Sequence, residues 1–156
     1  MIGRLTGLVI ESGPGQLLLD VGGVGYEVEI SLTTYTQMSE NEGPVTVHTH
    51  LVVRDDAHLL YGFTSNGERE MFRTLIKVNG VGPRMALGIL SGLDSASFAR
   101  AVMGNDVKAL TALPGVGKKT AERLIIEMRD KVDSFDVSGS DNPSTIKISV
   151  KEDAES

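Results

Sequence analysis

Residues 79 to 86 read NGVGPRMA, and 35 positions later residues 114 to 121 read PGVGKKTA. When the two stretches are aligned on their glycines, similar residue types continue on both sides at the same offset. The matched pairs are Leu75 with Leu110, Gly80 with Gly115, Val81 with Val116, Gly82 with Gly117, Arg84 with Lys119, Ala86 with Ala121 and Leu90 with Ile125. Each copy reads as an apolar helix, a Gly-Val-Gly turn and a second helix with a basic residue near its start. The repeat therefore predicts two similar helical hairpins.

The glycines of these turns predict a backbone that binds phosphate. Glycine can take backbone angles closed to other residues and lets a ligand approach the main chain. The valine between the glycines is expected to point inward, while free N–H groups at the start of the next helix face an anion. The cations predicted to hold phosphate are Arg84, Lys118, Lys119 and Arg123. Because nothing in this arrangement reads a base, two copies predict sequence-independent, salt-sensitive binding to a duplex backbone.

The glycines have three other interpretations. A single Gly-Val-Gly is equally compatible with a tight helix-to-helix turn, but two copies with basic residues at the same place favour phosphate binding. A Walker loop needs Ser or Thr after its lysine, whereas Lys118 is followed by Lys119. The Gly-Gly-Val-Gly at residues 22 to 25 does not open a helix, so a dinucleotide fingerprint fails as well.

Charge is distributed unevenly along the chain. The whole sequence has a net charge of −6 at pH 7. Residues 1 to 63 carry −6, residues 64 to 135 carry +3 and residues 136 to 156 carry −3. An anionic ligand is therefore expected on the middle region, which contains both Gly-Val-Gly turns.

Composition indicates the class of protein. The 156 residues, 40% of them apolar, suffice for one ordinary domain or two small ones. The chain has no cysteine, which excludes a disulfide framework and thiolate metal sites and fits a reducing compartment. The start, MIGRLTGLVIE, reads neither as a signal peptide nor as a membrane span, because polar residues interrupt its apolar run. We expect a cytoplasmic protein with no membrane partner.

The first region reads as strands. Short apolar or alternating runs predict strands at residues 3 to 11, 16 to 21, 22 to 30, 45 to 53 and 58 to 63, with a longer polar connection at 33 to 44. Five strands of this length suit a small closed barrel of the oligonucleotide/oligosaccharide-binding type, the OB fold. An SH3-like barrel is the alternative.

After Phe63 the apolar residues recur at a helical period. Ser65 and Glu68 have the spacing of a capping box, so a helix is expected to begin there. Further helices are predicted at residues 83 to 91, 95 to 103, 106 to 112 and 117 to 132. The fold prediction is thus an all-β barrel domain over residues 1 to 63, an all-α domain over 64 to 133 and a linker over 134 to 156. Within that linker, residues 145 to 150 alternate like a lone strand.

A pair of carboxylates lies at the predicted hairpin tip between the last two strands, in Arg54-Asp55-Asp56-Ala57. An Asp-Asp pair taken alone is typical of a solvated turn. A metal site is the alternative, but the pair lacks further oxygen ligands nearby. The three histidines, unsupported by any cysteine, are predicted to be surface or barrel-packing residues rather than zinc ligands.

Several long motifs resemble one known family. These are MIGRLTG, VGGVGYEV, HLVVRDDAHLLYGF, LIKVNGVGPRMALGILSG and LPGVGKKTAERLIIEM, which together cover about residues 1 to 133. They are similar to the RuvA family, the Holliday-junction-binding subunits of the bacterial RuvAB branch-migration machine. The resemblance implies an OB-fold barrel followed by two helix-hairpin-helix motifs, in agreement with the pattern of strands and helices.

The resemblance also implies roles for individual residues. Asp55 and Asp56 correspond to the family's acidic pin, which meets its symmetry mates where the arms of the junction cross. The family usually has Glu at the first of these positions, so here one carboxylate reaches one methylene less. Arg54 is expected either to contact phosphate near the crossing or to pair with an acid of a neighbouring subunit. The implied DNA-binding residues are Asn79, Gly80, Val81, Gly82, Arg84, Gly115, Val116, Gly117, Lys118, Lys119 and Arg123.

The resemblance further implies partners and the absence of catalysis. We expect a homotetramer, or an octamer when two tetramers enclose the DNA, that binds a four-way junction without cofactor, metal or active site. The family's third domain, which binds the motor RuvB, follows a linker, and we expect this chain to end within that linker. The resolvase RuvC is a further expected partner. The alternatives are a metal-dependent, structure-specific nuclease that uses the acidic tip and a generic duplex-binding module without oligomerisation.

Overall fold

A computed structural model describes residues 1 to 39 and 42 to 132, and it contains a five-stranded closed barrel. The strands are β1 Arg4–Gly13, β2 Gln16–Val21, β3 Val24–Ile30, β4 Val45–Val53 and β5 His58–Phe63. They close in the order β1-β2-β3-β5-β4. Neighbouring strands are antiparallel except β3 and β5, which pair in parallel. The prediction of an all-β barrel of the OB type is confirmed.

The third strand begins two residues later than predicted. Gly22 and Gly23 both have positive φ, 61° and 95°. Glycine adopts this left-handed backbone conformation without penalty. The Asp20 carboxylate accepts a hydrogen bond from the Gly23 N–H at 2.8 Å, which closes the turn between β2 and β3. These two glycines are therefore turn residues, and the strand starts at Val24.

A helix replaces part of the polar connection predicted at residues 33 to 44. This helix, α1, spans Leu32–Ser39. Its side chains Thr34 and Met38 are buried against the barrel, and the Ser31 hydroxyl caps it by accepting from the Thr34 N–H at 3.1 Å. The prediction was wrong because β-branched threonines are weak helix formers. Burial of one face and the serine cap decide the conformation.

Five helices follow the barrel, as predicted. They are α2 Asn66–Leu75, α3 Pro83–Gly92, α4 Ser95–Met103, α5 Val107–Thr111 and α6 Lys118–Met128. Their core surrounds Phe72, whose ring centroid lies 4.9 Å from that of Phe63 and 5.1 Å from that of Tyr61. Two residues of β5 thus pack among the helices, so the barrel and the helical region share a core. The predicted boundary at residue 63 stays a prediction.

Two further expectations concern the ends and the surface. The linker predicted over residues 134 to 156, with its strand-like stretch, lies outside the described residues. Among residues 1 to 39 and 42 to 132, the structure has no helix with the length and apolar character needed to cross a membrane.

Candidate nucleic-acid interface

The two Gly-Val-Gly turns have the same backbone. Gly80 has φ of 94° and Gly115 has φ of 82°, a region in which a Cβ is disfavoured. In the first turn the Val81 N–H donates to the Val78 carbonyl at 3.0 Å, and in the second the Val116 N–H donates to the Leu113 carbonyl at 3.1 Å. The repeat seen in the sequence is therefore a repeat of geometry.

The valines hold these turns from the inside. Val81 and Val116 are each 5% exposed, as the prediction of inward-pointing side chains required. Because their N–H groups are also used within the turn, neither the side chain nor the amide is available to a ligand. The structure gives both residues a part in shaping the turn and leaves the contact surface to their neighbours.

The helices that follow the turns start without a side-chain cap. Their N-cap residues are Gly82 and Gly117, and no side chain of the described chain caps either helix. The other helices after the barrel are capped by the side chains of Ser65, Asp94 and Asp106, each of which accepts from the backbone N–H of the third residue of its helix. In α4 that residue is Ser97, and hydrogen bonds from its backbone and its side chain lower the pKa of the Asp94 carboxyl. Among the described helices after the barrel, α3 and α6 thus leave N–H groups of their first turn uncapped, and in α3 these begin at Arg84 because Pro83 has no N–H.

The N-cap glycines are not required by the fold. Gly82 has φ −95° and ψ 177°, and Gly117 has φ −90° and ψ 179°, an extended conformation open to any residue. A Cβ built at either position meets no atom within 4 Å. Neither backbone strain nor packing therefore explains glycine here. A side chain would instead occupy the space in front of the open N–H groups.

Cations surround these helix starts. Arg84, Lys118 and Lys119 are exposed, and Arg123 is half exposed with Nη1 3.5 Å from Oε2 of Glu127. An open depression between the two turns is lined by Asn79, Gly80, Lys119, Thr120 and Arg123. The structure thus brings the predicted residues of both hairpins to one surface. It adds Thr120, whose position in the first turn of α6 was the available signal in the sequence.

The two hairpins differ where α3 passes the second turn. Gly88, which lies 35 residues before Arg123, would place a Cβ 4.0 Å from the Pro114 carbonyl oxygen. One turn later, a Cβ on Gly92 would lie 2.4 Å from Cδ2 of Leu113. The second hairpin thus contacts α3 along this face, and α3 has glycine where α6 presents Arg123.

The acidic pair lies at the end of the β4–β5 hairpin. Its tip is closed by the Arg54 N–H, which donates to the Ala57 carbonyl at 2.8 Å. Asp55 and Asp56 are both exposed. Among the described residues, no group of three or more His, Cys, Asp or Glu side chains is placed to hold a metal ion. The tip therefore presents two solvated carboxylates on a short, closed turn.

Arg54 follows the last residue of β4 and is exposed beside the acidic pair. Burial raises the pKa of the Tyr61 hydroxyl, the positive charges of Arg54 and Arg84 oppose this, and Glu29 adds to it.

The histidines are barrel residues, as predicted for packing or surface positions. Burial, followed by nearby arginines, lowers the pKa of His48 and of His50. The His50 ring lies 5.6 Å from the ring of Phe72 in an edge-on arrangement. His58 is exposed beside the tip, where it pairs with Val53 across the hairpin.

Comparison with known proteins gives two family matches that divide the chain as the structure does. Residues 1 to 62 match the model described as RuvA N terminal domain. Residues 72 to 130 match the model described as SAM-like Helix-hairpin-helix tandem. The first match covers the barrel, and the second covers both Gly-Val-Gly turns.

Similar whole proteins carry the name Holliday junction branch migration complex subunit RuvA. The protein of Thioalkalivibrio sulfidiphilus is 58% identical over 135 residues, which is 86% of this chain and 67% of the relative. That of Marinobacter nauticus is 56% identical over 132 residues, 85% of this chain and 63% of the relative. That of Pseudomonas entomophila is 53% identical over 138 residues, 88% of this chain and 67% of the relative. At this identity and coverage, with the barrel and both hairpins in place, the chain belongs to the RuvA family.

Proposed function

We propose that this chain binds four-way DNA junctions without regard to sequence and serves as the DNA-binding subunit of a branch-migration complex. Its relatives are named as subunits of such a complex, and the chain spans 63 to 67% of the length of the three relatives described above. Both matched regions, barrel and tandem hairpins, lie within the shared part. The proposal assigns DNA binding to this part and assigns no active site to it.

One observation carries the DNA-binding part of the proposal. Gly82 and Gly117 head helices with open N–H groups, although neither φ nor packing calls for glycine. A phosphate oxygen placed there accepts hydrogen bonds from the free N–H groups and is stabilised by the helix dipole. It thus takes the place of the missing side-chain cap. Lys118, Lys119 and Arg123 add charge around the same place. Contacts of this kind hold the backbone of DNA and do not read bases.

The acidic tip adds a preference for junctions to this general affinity. Asp55 and Asp56 repel phosphates, so DNA is held at its arms by the hairpins and kept away from the tip. In a fourfold assembly eight such carboxylates meet at one centre, where the four arms of a junction diverge. A continuous duplex has no such opening. The proposal therefore includes a homotetramer, with a second tetramer on the opposite face as a further form.

Arg54 is exposed and directly precedes the acidic pair. We propose that it contacts a phosphate near the crossing, and pairing with an acid of a neighbouring subunit is the alternative.

The partners and the setting belong to the same proposal. Branch migration needs an ATP-driven motor, which is RuvB in the family, and the resolvase RuvC acts on the same junction. The chain itself contributes DNA geometry and no catalysis. The place of action is the cytoplasm, where the DNA and both partners are found.

A binding experiment tests the proposal. The purified chain is mixed with a labelled four-way junction or with a linear duplex of equal length, and each complex is resolved by gel shift at moderate salt. The mass of the free and bound protein is measured in parallel. We expect tighter binding to the junction, a tetrameric mass and a steep loss of affinity with added salt. Equal affinity for junction and duplex would falsify the junction-specific part.

A cleavage assay separates this proposal from the nuclease alternative. Junction DNA end-labelled on each strand is incubated with the chain and Mg²⁺, and the strands are resolved on a denaturing gel. Intact strands are expected. Cleavage that disappears when Asp55 and Asp56 become asparagine would establish the nuclease.

A further inference from the structure

The acidic tip and the first hairpin are joined through polar contacts between β4 and α2. In one of them Nη1 of Arg69 donates to the Thr49 carbonyl at 3.5 Å. Strand β4 leads directly to the tip, and helix α2 leads directly to the turn at Gly80. The guanidinium of Arg73, on α2, donates from Nε to Nδ1 of His50, on β4, at 3.1 Å. The two elements that the proposed function requires to act together thus meet at these hydrogen bonds.

The guanidinium is held from a second side. Nη1 of Arg73 donates to Oε2 of Glu70 at 3.1 Å, one helical turn earlier in α2. Glu70 also lies 3.5 Å from Nε of Arg69, so it is itself placed between two cations. Arg73 is therefore directed at the barrel by a contact within its own helix.

The same joint has an apolar part. Phe72 on α2 packs against the rings of His50 on β4 and of Tyr61 and Phe63 on β5, with centroids 4.9 to 5.6 Å apart. This cluster and the Arg69 contact hold the two strands against α2. A hydrogen bond weakens steeply away from its preferred angle, so the Arg73 to His50 bond adds a directional contact between β4 and α2. It differs from the others because its acceptor is a titratable ring.

We propose that the Arg73 to His50 hydrogen bond is a positioning contact that sets the acidic tip relative to the first hairpin, and that preference for a junction over a duplex depends on it. The inference rests on the proposed function. Duplex binding needs only the helical hairpins. Junction binding needs the tip and the hairpins at a defined spacing, so it alone is sensitive to this joint.

The contact is sensitive to protons because His50 acts as an acceptor. The groups facing it are Arg73, Arg69 and Glu70 on α2, Tyr61 opposite it on β5, and His48 on its own strand with Arg4 beyond. Burial, then Arg73 and Arg69, lower the pKa of His50 from 6.5, and Glu70 opposes this. The neutral acceptor therefore dominates at pH 7. As pH falls through the lowered pKa, the ring gains a proton, loses its acceptor and repels Arg73.

Two substitutions of one residue test the proposal. His50→Leu removes the acceptor and keeps the packing against Phe72, whereas His50→Asn keeps an acceptor oxygen at the place of Nδ1 and does not titrate. His58→Asn is the matched control, because it removes an exposed histidine beside the tip. For each protein the affinities for junction and duplex are measured between about pH 8 and about pH 5.

The expected result is a change in the ratio of the two affinities. His50→Leu loses about tenfold in junction affinity relative to duplex at every pH, an ordinary size for coupling between two sites. The slope of its duplex affinity against salt stays unchanged. Wild-type protein and His58→Asn show the same loss only at acidic pH, and His50→Asn keeps its preference throughout.

Contrary results separate the two levels of inference. A wild-type chain that binds junction and duplex alike overturns the proposed function and the positioning role together. If wild type prefers junctions and His50→Leu prefers them to the same degree, the positioning role alone is overturned. The same holds if His50→Asn still loses its junction preference at acidic pH. If His50→Leu lacks the circular dichroism spectrum of wild type, the wild-type pH profile decides, and a constant preference overturns the proposal.

Discussion

The two hairpins have one backbone and different charges. Their turns match in positive φ and in internal hydrogen bonds, and both following helices begin at an uncapped glycine. Around its turn the first hairpin presents Lys77 and Arg84, whereas the second presents Lys118, Lys119 and Arg123. In the proposed function the backbone defines where a phosphate binds, while the side chains define how strongly it binds and how much the binding depends on salt.

Packing accounts for the direction of the difference. In the first hairpin, helix α3 contacts the second turn at Gly88 and Gly92, while Arg84 stays exposed. The Leu32 N–H donates to the Ser91 hydroxyl at 2.8 Å, which ties α3 to α1. The second hairpin has a free outer face on α6 and room for three cations. We infer that the second hairpin supplies affinity and the first supplies position.

The largest effect is expected from filling the empty cap of the second hairpin. Gly117→Asp places a carboxylate where the phosphate is proposed to bind, in a conformation that aspartate adopts readily. DNA binding should weaken by about 2 to 3 kcal/mol, the scale of a hydrogen bond to a charged group. The free energy of unfolding should stay constant or rise by a few tenths of a kcal/mol.

Gly82→Asp is the matched variant in the first hairpin, and its loss of affinity should be smaller because fewer cations converge there. Affinity follows from gel shifts, and stability from urea denaturation. A variant that binds DNA as wild type does would show that the open N–H groups are not phosphate ligands.

Removing charge from the second hairpin is expected to have the next largest effect. Lys118→Ala with Lys119→Ala should weaken binding to junction and duplex alike, because phosphates are common to both. The slope of log affinity against log salt should fall by about two units, or about one per phosphate contact. Arg84→Ala, in the first hairpin, should lower it by about one. If wild type, the double lysine variant and Arg84→Ala had equal slopes of log affinity against log salt, these cations would not be phosphate ligands.

The shared backbone predicts equal costs at the inner glycines. Gly80→Ala and Gly115→Ala each force an L-residue into left-handed backbone, which costs about 1 to 2 kcal/mol. Neither position has an atom within 4 Å of the added Cβ, so strain alone should act. The free energies of unfolding of the two variants should fall by the same amount. A marked difference between them would mean that the two turns are not energetically equivalent.

The smallest effect on binding is expected at the acidic tip. Asp55→Asn with Asp56→Asn removes repulsion without removing any ligand, so junction affinity should stay constant or rise slightly. Duplex affinity should rise by more, up to about tenfold, because a continuous duplex no longer meets a repelling tip. The rate of branch migration with added motor protein should change. The measurement is a gel shift beside a strand-exchange assay. Loss of junction binding would instead assign the tip a structural or metal-binding role.

Local patterns in the sequence were enough to find the hairpins and most of the barrel. The spacing of 35 residues located both turns, and their inward valines and uncapped helix starts agree with it. Helix α1 was missed because its threonines argue against a helix, and only burial of Thr34 and Met38 explains it. Thr120 and the Arg73 to His50 contact were also missed. Neither follows a periodic pattern, since each depends on which elements become neighbours.

The sequence by itself determined the repeat, the glycines of the hairpin turns, the five strands, the helices that follow them and the placement of charge, because these depend on residues close together in the chain. Only the tertiary structure decided that Tyr61 and Phe63 belong to the helical core, that α1 forms at Leu32–Ser39, and that Arg73 meets His50. The physical reason is that packing and directional hydrogen bonds act between groups distant in sequence. Their partners are set by the closure of the barrel and the docking of α2 on β4.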